Sequence, residues 1–561
     1  MRSGLLIILS STLLCADPLS REIVIESDYL NFPLLDREEK REPGTARLTF
    51  TNAEGQVVRS FHAKFPKSAK DADFIHQVDV TQLAGQKITF AYESEDDNVL
   101  SLIEPTDDRL IEPDVYSGAN RPKFHFSPRR GWMNDVNGTH FHNGLYHLFY
   151  QSNPTITAKS PGFDMHWGHS VSKDLVHWEE WPVALYPDQS GAVFSGTAAM
   201  VRSEIPQLTQ GDDFPQPILF FTATSPFSQH IAKPIGDEKY WERFGGNPVI
   251  KNIGKGDRDP KIIWHEPSQH YAMLLYIEDP KRYEFFRSKN LTDWENVSTL
   301  ADWHECPEFF EVVSPTTGET LYLLYGSYRK MNESGGEQNM SSAYQLGKFD
   351  GKTFTPVTEV RTAHNGWNFY GALTFMNEPK GRQVMMGWAA GTEFPGEPFN
   401  QCATIPLELT LEDRGGKDTL CMKPVEEISQ LRTQEIVNLK NLIGREINEQ
   451  LKEIKKTDLL DIEIEFAADQ TSKAYLWLRD RFFSWDPSTN QVEPAMTAIS
   501  PTGPVDGRFL VDNGIIEGFW NGGEIAHSVG SLVTAGDHSV HIAPEARVNS
   551  IRIWKLKNIW K

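Results

Sequence analysis

The sequence predicts an all-β protein: a five-bladed β-propeller with a C-terminal β-sandwich and a small N-terminal β-rich domain. Three observations lead there. Between about residues 119 and 415, short apolar strands alternate with Gly, Pro and Asn turns, and almost no helical period is present. Within that stretch the core-like strands 145–151, 217–222, 271–276, 320–325 and 384–388 recur at roughly fifty to sixty residues, the length of a four-stranded blade with long loops. The chain is also rich in aromatics, with 32 Phe, 16 Tyr and 15 Trp, which suits β-rich packing. A pair of stacked sandwiches would hold the same strands but would offer no shared axial pocket.

Taken in order, residues 1–16 read as a secretory signal peptide, with Arg2, a mostly apolar run from Leu5 to Leu14, and Ala16 at the cleavage position. The run is too short to span a bilayer, and Leu14 before Cys15 is a poor match to a lipidation site. The mature chain is therefore expected to be secreted or periplasmic, with no membrane anchor. Residues 17–118 carry alternating runs at 21–25 and 87–92, separated by turns at Ala53-Glu54-Gly55 and Ala84-Gly85-Gln86. They form an accessory β-rich module without a catalytic constellation. The propeller is placed at 119–423. The charged stretch 424–456 has a partly helical period and reads as a linker. Strands return from Leu459 (461–466, 474–478, 508–511, 515–520, 550–554) and make the sandwich that runs to 561.

At 561 residues the chain is too long for a single core. A formal net charge of −22 excludes nucleic acid as the natural partner, since phosphates call for Lys and Arg, and disfavours polyanionic ligands. A neutral ligand fits best. Beyond the signal, Cys306, Cys402 and Cys421 can make at most one pair, so no disulfide framework is implied.

Three carboxylates in the middle region stand in unusual contexts. Asp135 lies in Gly131-Trp132-Met133-Asn134-Asp135-Val136-Asn137-Gly138. Asn-Gly is the strongest short-range turn signal, which puts Asp135 at a strand end, two residues before a reversal. Asp259 lies in Gly256-Asp257-Arg258-Asp259-Pro260-Lys261, where Pro260 should push it into an extended conformation and Arg258 can hold it ionised or reach a ligand oxygen. Glu305 lies in Trp303-His304-Glu305-Cys306-Pro307-Glu308, and strand alternation places it on the opposite face from His304 and Cys306. Taken singly, each acid is most simply a solvated loop residue. Roughly two blade lengths separate the first pair and one the second, so a propeller would bring all three to its mouth. Glycoside hydrolysis needs such a set, with one nucleophile and one acid to protonate the leaving oxygen. A third carboxylate can stabilise the transition state.

The segment from Arg121 to Thr197 resembles glycoside hydrolase family 32, the β-fructosidases that include invertases, inulinases and levanases. The matching pieces are Trp132-Met133-Asn134-Asp135, Tyr146 through Gln151, His166-Trp167-Gly168-His169, Asp174 through Trp178, and Phe194-Ser195-Gly196. Arg258-Asp259-Pro260 and Glu305-Cys306-Pro307 complete the pattern in order and spacing. Asn368-Phe369-Tyr370 and Gly387-Trp388 resemble later landmarks, and the stretches 509–512 and 516–519 resemble the family's sandwich. The resemblance implies that Asp135 is the nucleophile, Glu305 the general acid/base and Asp259 the transition-state stabiliser. It also implies that Asn134, Gln151, Trp167, Phe194, Ser195, Arg258, Tyr370 and Trp388 bind the fructosyl unit, with neutral fructose-containing saccharides as substrates. The family usually has Pro where this chain has Val136. Valine also favours extended geometry, so activity should survive with a slightly less rigid loop. The N-terminal module resembles accessory domains of bacterial levanase-like members.

Other readings weigh less. His125, His140, His142, His147, His166 and His169 crowd one region, but histidines in strands and turns are commoner than ligands, so no metal or cofactor is expected. Ser195 lacks the Gly-x-Ser-x-Gly elbow of a serine hydrolase. Asn137-Gly138-Thr139 and Asn290-Leu291-Thr292 fit glycosylation acceptors only weakly beside a bacterial-looking signal. The functions that remain are a retaining exo-fructosidase, a fructosyltransferase on the same scaffold, and a non-catalytic sugar-binding propeller. With Asp135 and Asp259 ionised nearby, the pKa of Glu305 is expected to rise.

Overall fold

The computed structural model describes residues 18–560 apart from 38–41, 95, 158–161, 163, 210, 212–213, 332–336 and 533–537. The signal peptide read at 1–16 lies outside the described residues. The chain is all-β, and its described part separates into two compact units, one ending at Leu110 and one running from Ile111 onward.

The first unit holds two antiparallel sheets. One has the order Leu19–Val24, Lys87–Tyr92, Ala46–Thr51, Val57–Ala63; the other has Phe74–Asp79, Tyr29–Leu34, Glu104–Thr106. Alternating residues point into a core of Phe32, Phe50, Phe61 and Phe90, all fully buried. Phe50 and Phe90 meet edge to face at 4.7 Å, and Phe32 and Phe61 at 5.5 Å.

The second unit begins with five antiparallel sheets that follow one another along the chain. Their first strands are Gly131–His142, Val193–Val201, Arg258–His265, Trp303–Val313 and Tyr370–Thr374. Each first strand contacts the next, and the fifth contacts the first again, so the five close a ring. Phe399–Asn400, from the fifth sheet's stretch of chain, pairs in parallel with Gly131-Trp132 on the first.

The second strands are Leu145–Asn153, Gln216–Thr224, His270–Ile277, Thr320–Met331 and Gln383–Trp388, and each contains one of the recurrent apolar runs read from sequence. Such a strand is covered on both faces, so its sequence is continuously apolar. Neighbouring sheets pack through these runs. Phe149, Trp167, Leu219 and Phe221 join the first two sheets, and Phe220, Met273 and Leu275 the second and third. Leu274, Phe285, Phe309 and Leu324 join the third and fourth, while Tyr325, Leu346, Met385, Leu148 and Tyr150 share a cluster spanning the fourth, fifth and first.

Downstream, residues 424–456 depart from the linker reading. Arg432–Ile443 is a long strand, paired along its length with Arg547–Leu556, and Gly444–Leu451 is the one α-helix among the described residues. The charged residues that suggested a linker are the solvent side of these elements, whereas Val437, Ile447 and Leu451 are buried. The strand belongs to a six-stranded sheet ordered Arg432–Ile443, Arg547–Leu556, Leu460–Phe466, Val505–Asp512, Gly514–Trp520, Ile525–Ser531. A five-stranded sheet built around Ala474–Arg479 shares its core through Ile462, Leu476, Phe483, Phe509 and Trp520.

A buried polar knot joins this region to the start of the ring. His125 places Nδ1 2.8 Å from Asp512 Oδ2 and Nε2 3.3 Å from Glu517 Oε2, and all three side chains are fully buried. Burial opposes the charged imidazole, but the bonds and charges of both carboxylates outweigh it and raise the pKa of His125 to about 9. The backbone N–H groups of Lys123, Phe124 and His125 also donate to Asp512.

Candidate active site

The candidate site lies where the five first strands begin. Asp135 is the fifth residue of Gly131–His142, Ser195 the third of Val193–Val201, and Asp259 the second of Arg258–His265. Glu305 is the third of Trp303–Val313, and Tyr370 opens Tyr370–Thr374. Each of the five sheets thus contributes one polar group.

Asp135 accepts a 2.6 Å hydrogen bond from Ser195 Oγ on Oδ2, and Cys306 Sγ lies 3.7 Å from the same oxygen. Gly371 has φ +50, and a Cβ there would fall 2.5 Å from Asp135 Oδ1, so only glycine lets the chain pass so close to the carboxylate. Asp259 is buried; its Oδ2 accepts from the Cys306 backbone N–H at 3.1 Å, with Cys306 Sγ at 3.6 Å. Cys306 therefore touches both aspartates. Glu305 accepts from Arg258 Nη2 on Oε1 and from the Tyr370 hydroxyl on Oε2, each at 2.6 Å. Arg258 is held in turn by Glu278 at 2.7 Å and lies over the Tyr276 ring.

The electrostatics set the three acids apart. Burial raises the pKa of Asp135; the Ser195 bond pulls it back, and the charge of Glu305 adds to the rise. Burial likewise lifts Asp259, to about 7, against the Arg258 charge and with help from Glu305 and Asp135. Glu305 goes the other way. Burial would raise it, but the Arg258 charge and the hydrogen bonds from Tyr370 and Arg258 hold it below the usual range. The expected rise at Glu305 is thus reversed, because a guanidinium and a phenol grip its charged form. Burial thus pushes the two aspartates up while Arg258 and Tyr370 hold Glu305 down, and the arrangement is one of coupled carboxylates rather than three independent groups.

Four local expectations also change. Asn137-Gly138 is not a hairpin turn. Gly138 has φ +54 inside a continuous strand, at a register shift between Asn137 and His140, and Asn137 is buried with Oδ1 accepting from Gly196 N–H at 3.1 Å. The reversal comes at Asn143-Gly144, where both residues have positive φ. Asp259 is not extended but has φ +62, with its N–H donated to Thr222 Oγ1. Glu305 and Cys306 do not lie on opposite faces, because Cys306 has φ +50 at a shift between His304 and Glu308. Both acid motifs thus place a left-handed residue before a proline, and the bulge re-aims the neighbouring side chains. Val136 is buried and paired with Tyr150 inside the strand, so it does not sit in a loop.

The other residues singled out by resemblance divide. Ser195, Arg258 and Tyr370 touch the acids directly, and a hydrogen bond from Asn134 helps to hold Asp135 ionised. The indole of Trp132 also donates to Asn134 Oδ1 at 2.9 Å. Gln151 is buried, and its Nε2 has no acceptor among the described residues. Phe194 and Trp388 pack against the cluster around Trp132, and Trp388 donates to Gln401 Oε1 at 3.1 Å. Trp167 does not join them. It is 0% exposed, sits in the core between the first two sheets, and spends its indole N–H on the Phe194 carbonyl at 3.1 Å. It supports Phe194 and has no surface to offer a sugar. Cys306, Thr222 and Glu278 were missed. Cys306 stood inside a quoted motif, but simple alternation turned it away; Thr222 and Glu278 lie outside every motif.

Comparison with known proteins places this geometry. The glycosyl hydrolases family 32 N-terminal domain matches residues 125–424, the stretch that holds all five first strands. The levanase of Bacillus subtilis is 30% identical over 494 residues, covering 79% of this chain and 72% of its own length. An extracellular exo-inulinase of Meyerozyma guilliermondii is 28% identical over 425 residues, covering 71% and 79%. In fold, the crystal structure of the Aspergillus awamori exo-inulinase aligns with a TM-score of 0.65 at 23% identity, over 79% of this chain and 100% of that one. With a family match across more than half the chain, and acids drawn from the strands that match, the protein is a glycoside hydrolase and belongs to family 32.

Proposed function

We propose that this protein is a secreted, retaining, exo-acting β-fructosidase that removes terminal non-reducing β-D-fructofuranosyl units from levan, inulin or sucrose. The observation that carries the reading is the meeting of Asp135, Asp259 and Glu305 at the starts of three first strands, with Ser195, Arg258 and Tyr370 already bonded to them. In this reading the five sheets of 119–423 are blades of a five-bladed β-propeller. The C-terminal sheets form a β-sandwich, and residues 17–118 an accessory domain. Export rests on the signal read at 1–16 and on extracellular enzymes among the relatives.

The chemistry follows from the contacts. A carboxylate oxygen of ionised Asp135, whose charged form the Ser195 hydroxyl favours against the effect of burial, attacks the anomeric carbon of the terminal fructosyl unit. As the glycosidic bond breaks, Glu305 gives its proton to the leaving oxygen. Glu305, now a carboxylate, then takes a proton from water, which attacks the same carbon and frees Asp135. Arg258 and Tyr370 favour the charged form of Glu305. A saccharide whose hydroxyls engage Arg258 would relax that grip and let Glu305 take up the proton, which makes Arg258 the group that couples binding to acid strength. Asp259 stabilises positive charge on the sugar ring when ionised. NMR of the freshly released sugar tests the mechanism. The β-anomer should appear first, whereas the α-anomer first would refute a covalent fructosyl-enzyme. Parallel rates on levan, inulin and sucrose rank the substrates, and longer oligosaccharides in place of free fructose at high sucrose would favour a transferase.

A further inference from the structure

At the far end of the strand that carries Asp135, a second group of titratable side chains is buried and plays no part in the reaction above. His140 and His142 close Gly131–His142, His147 lies opposite His140 on the second strand, and His169 is on the third. Glu238 comes from the second sheet, between Phe227–Ile235 and Tyr240–Arg243. His140, His147, His169 and Glu238 are each 2% exposed or less.

The hydrogen-bond geometry leaves one position in this group unexplained. His140 Nδ1 lies 2.8 Å from the Gly138 carbonyl, so Nδ1 carries a proton, and an imidazole with its single proton there presents a lone pair at Nε2. His140 Nε2 faces Glu238 Oε2 at 3.2 Å. His147 presents a second Nε2 to the same oxygen at 3.4 Å, and this buried nitrogen has no hydrogen-bond partner. The two rings are parallel within 6°, with centroids 4.6 Å apart. Glu238 Oε1 is occupied differently, by His142 Nδ1 and by Asn143 Nδ2 at 3.2 Å. A charge-assisted N–H···O⁻ bond is about 2.7–2.9 Å long. The two distances at Oε2 are longer, and close to the roughly 3.3 Å that ligands 2.0–2.1 Å from a tetrahedral cation keep between themselves.

We propose that His140 Nε2, His147 Nε2 and Glu238 Oε2 bind one divalent transition cation of the zinc type, with water in the fourth position. Imidazole nitrogens with a single carboxylate suit zinc, cobalt or nickel rather than magnesium or calcium. The surroundings agree. A metal-bound histidine donates its other ring N–H to a fixed acceptor; His140 has the Gly138 carbonyl for this, and His147 Nδ1 has His169 Nε2 at 3.0 Å. The ion would tie the first sheet to the second, the two that supply Asp135 and Ser195. This site is independent of the fructosidase reading.

The full-length protein, stripped with a chelator and dialysed, should be titrated with zinc and with cobalt(II). One equivalent per chain is expected, with a rise in melting temperature and the intense visible bands of four-coordinate cobalt. Glu238→Gln should weaken uptake by about a hundredfold or more, while His177→Ala, at an exposed Asp174 pair, should leave it unchanged. Because Glu238→Gln could destabilise the fold, the wild-type cobalt spectrum serves as a second test. Weak six-coordinate bands, or a cobalt–thiolate band that places the ion on Cys306, would overturn the proposal. So would a folded, stripped wild type that takes up no stoichiometric cation, or a folded Glu238→Gln that binds as tightly as wild type.

Discussion

Tyr370→Phe tests the reading of the site most sharply, because it removes one oxygen whose effect has a calculable direction. The Tyr370 hydroxyl donates to Glu305 Oε2 at 2.6 Å and is one of the groups holding that carboxyl below its usual pKa. A hydrogen bond to a charged group contributes about 1.5–3 kcal/mol, and one pKa unit corresponds to about 1.4 kcal/mol. The side chain of Glu305 is 27% exposed, so solvent takes up part of the loss and the lower end applies. Deleting the hydroxyl should therefore raise the pKa of Glu305 by about one unit.

Above that pKa the protonated fraction falls tenfold per pH unit, so the limb of the kcat/KM profile that Glu305 governs should move up by about one unit. That limb is identified by comparing sucrose with a fructosyl donor whose leaving group departs unaided. It is present with the first and absent with the second. Any contact of Tyr370 with the sugar lowers activity equally at every pH, so the position of the limb reports Glu305 alone. An unmoved limb, or one displaced downward, would refute the argument that Tyr370 stabilises the charged acid.

Further outcomes follow from the same contacts. Glu305→Gln should cost about 10²–10⁴-fold on sucrose and far less on the activated donor; equal losses would transfer the acid role elsewhere, with Glu308 as the next candidate to test. Asp259 has a folded pKa of about 7 against 3.8 for a free side chain, so its contribution to stability is complete below about 3.8 and is lost as pH rises through 7. Asp259→Asn should accordingly be more stable than wild type at neutral pH, with the difference vanishing in acid, as read by urea melts. His125 has a raised pKa of about 9, so its stabilising contribution is full below about 6.5 and fades as pH rises through 9. Melting temperature should fall across that window in the wild type, and a His125→Gln protein that shows the same fall would exclude His125 as its source.

Much of the strand pattern was legible for one physical reason. The runs that recur along the sequence are the second strands, enclosed by neighbours at both edges and by sheets on both faces, and enclosure forces a continuous apolar composition. The acids lie on the first strands, where the ring leaves side chains facing an axis, and no periodicity marks them. They were found through proline and glycine punctuation and through resemblance. The linker reading of 424–456 failed for a related reason: Arg432–Ile443 is exposed along much of its length, so its charges masked a strand.

Where alternation was applied to the site itself it failed, and the failures share a cause. A regular strand shows one face to the axis, so Glu305 and Cys306 could not both reach it, nor could Asp259 arrive from a strand that keeps Pro260 and Lys261 in step. The chain meets the demand with left-handed residues at Asp259 and Cys306, each followed by proline and each at a register shift. These conformations cost about 1–3 kcal/mol apiece, and the surroundings hold them in place through the Thr222 hydroxyl on the Asp259 N–H and the Asp259 carboxylate on the Cys306 N–H. The second bond ties the two bulges together: the residue that breaks the pattern on the third sheet accepts from the residue that breaks it on the fourth. Local rules give way at the point where several strands must converge on one small volume, and there the contacts of Cys306, rather than any motif, reveal the geometry of the acids.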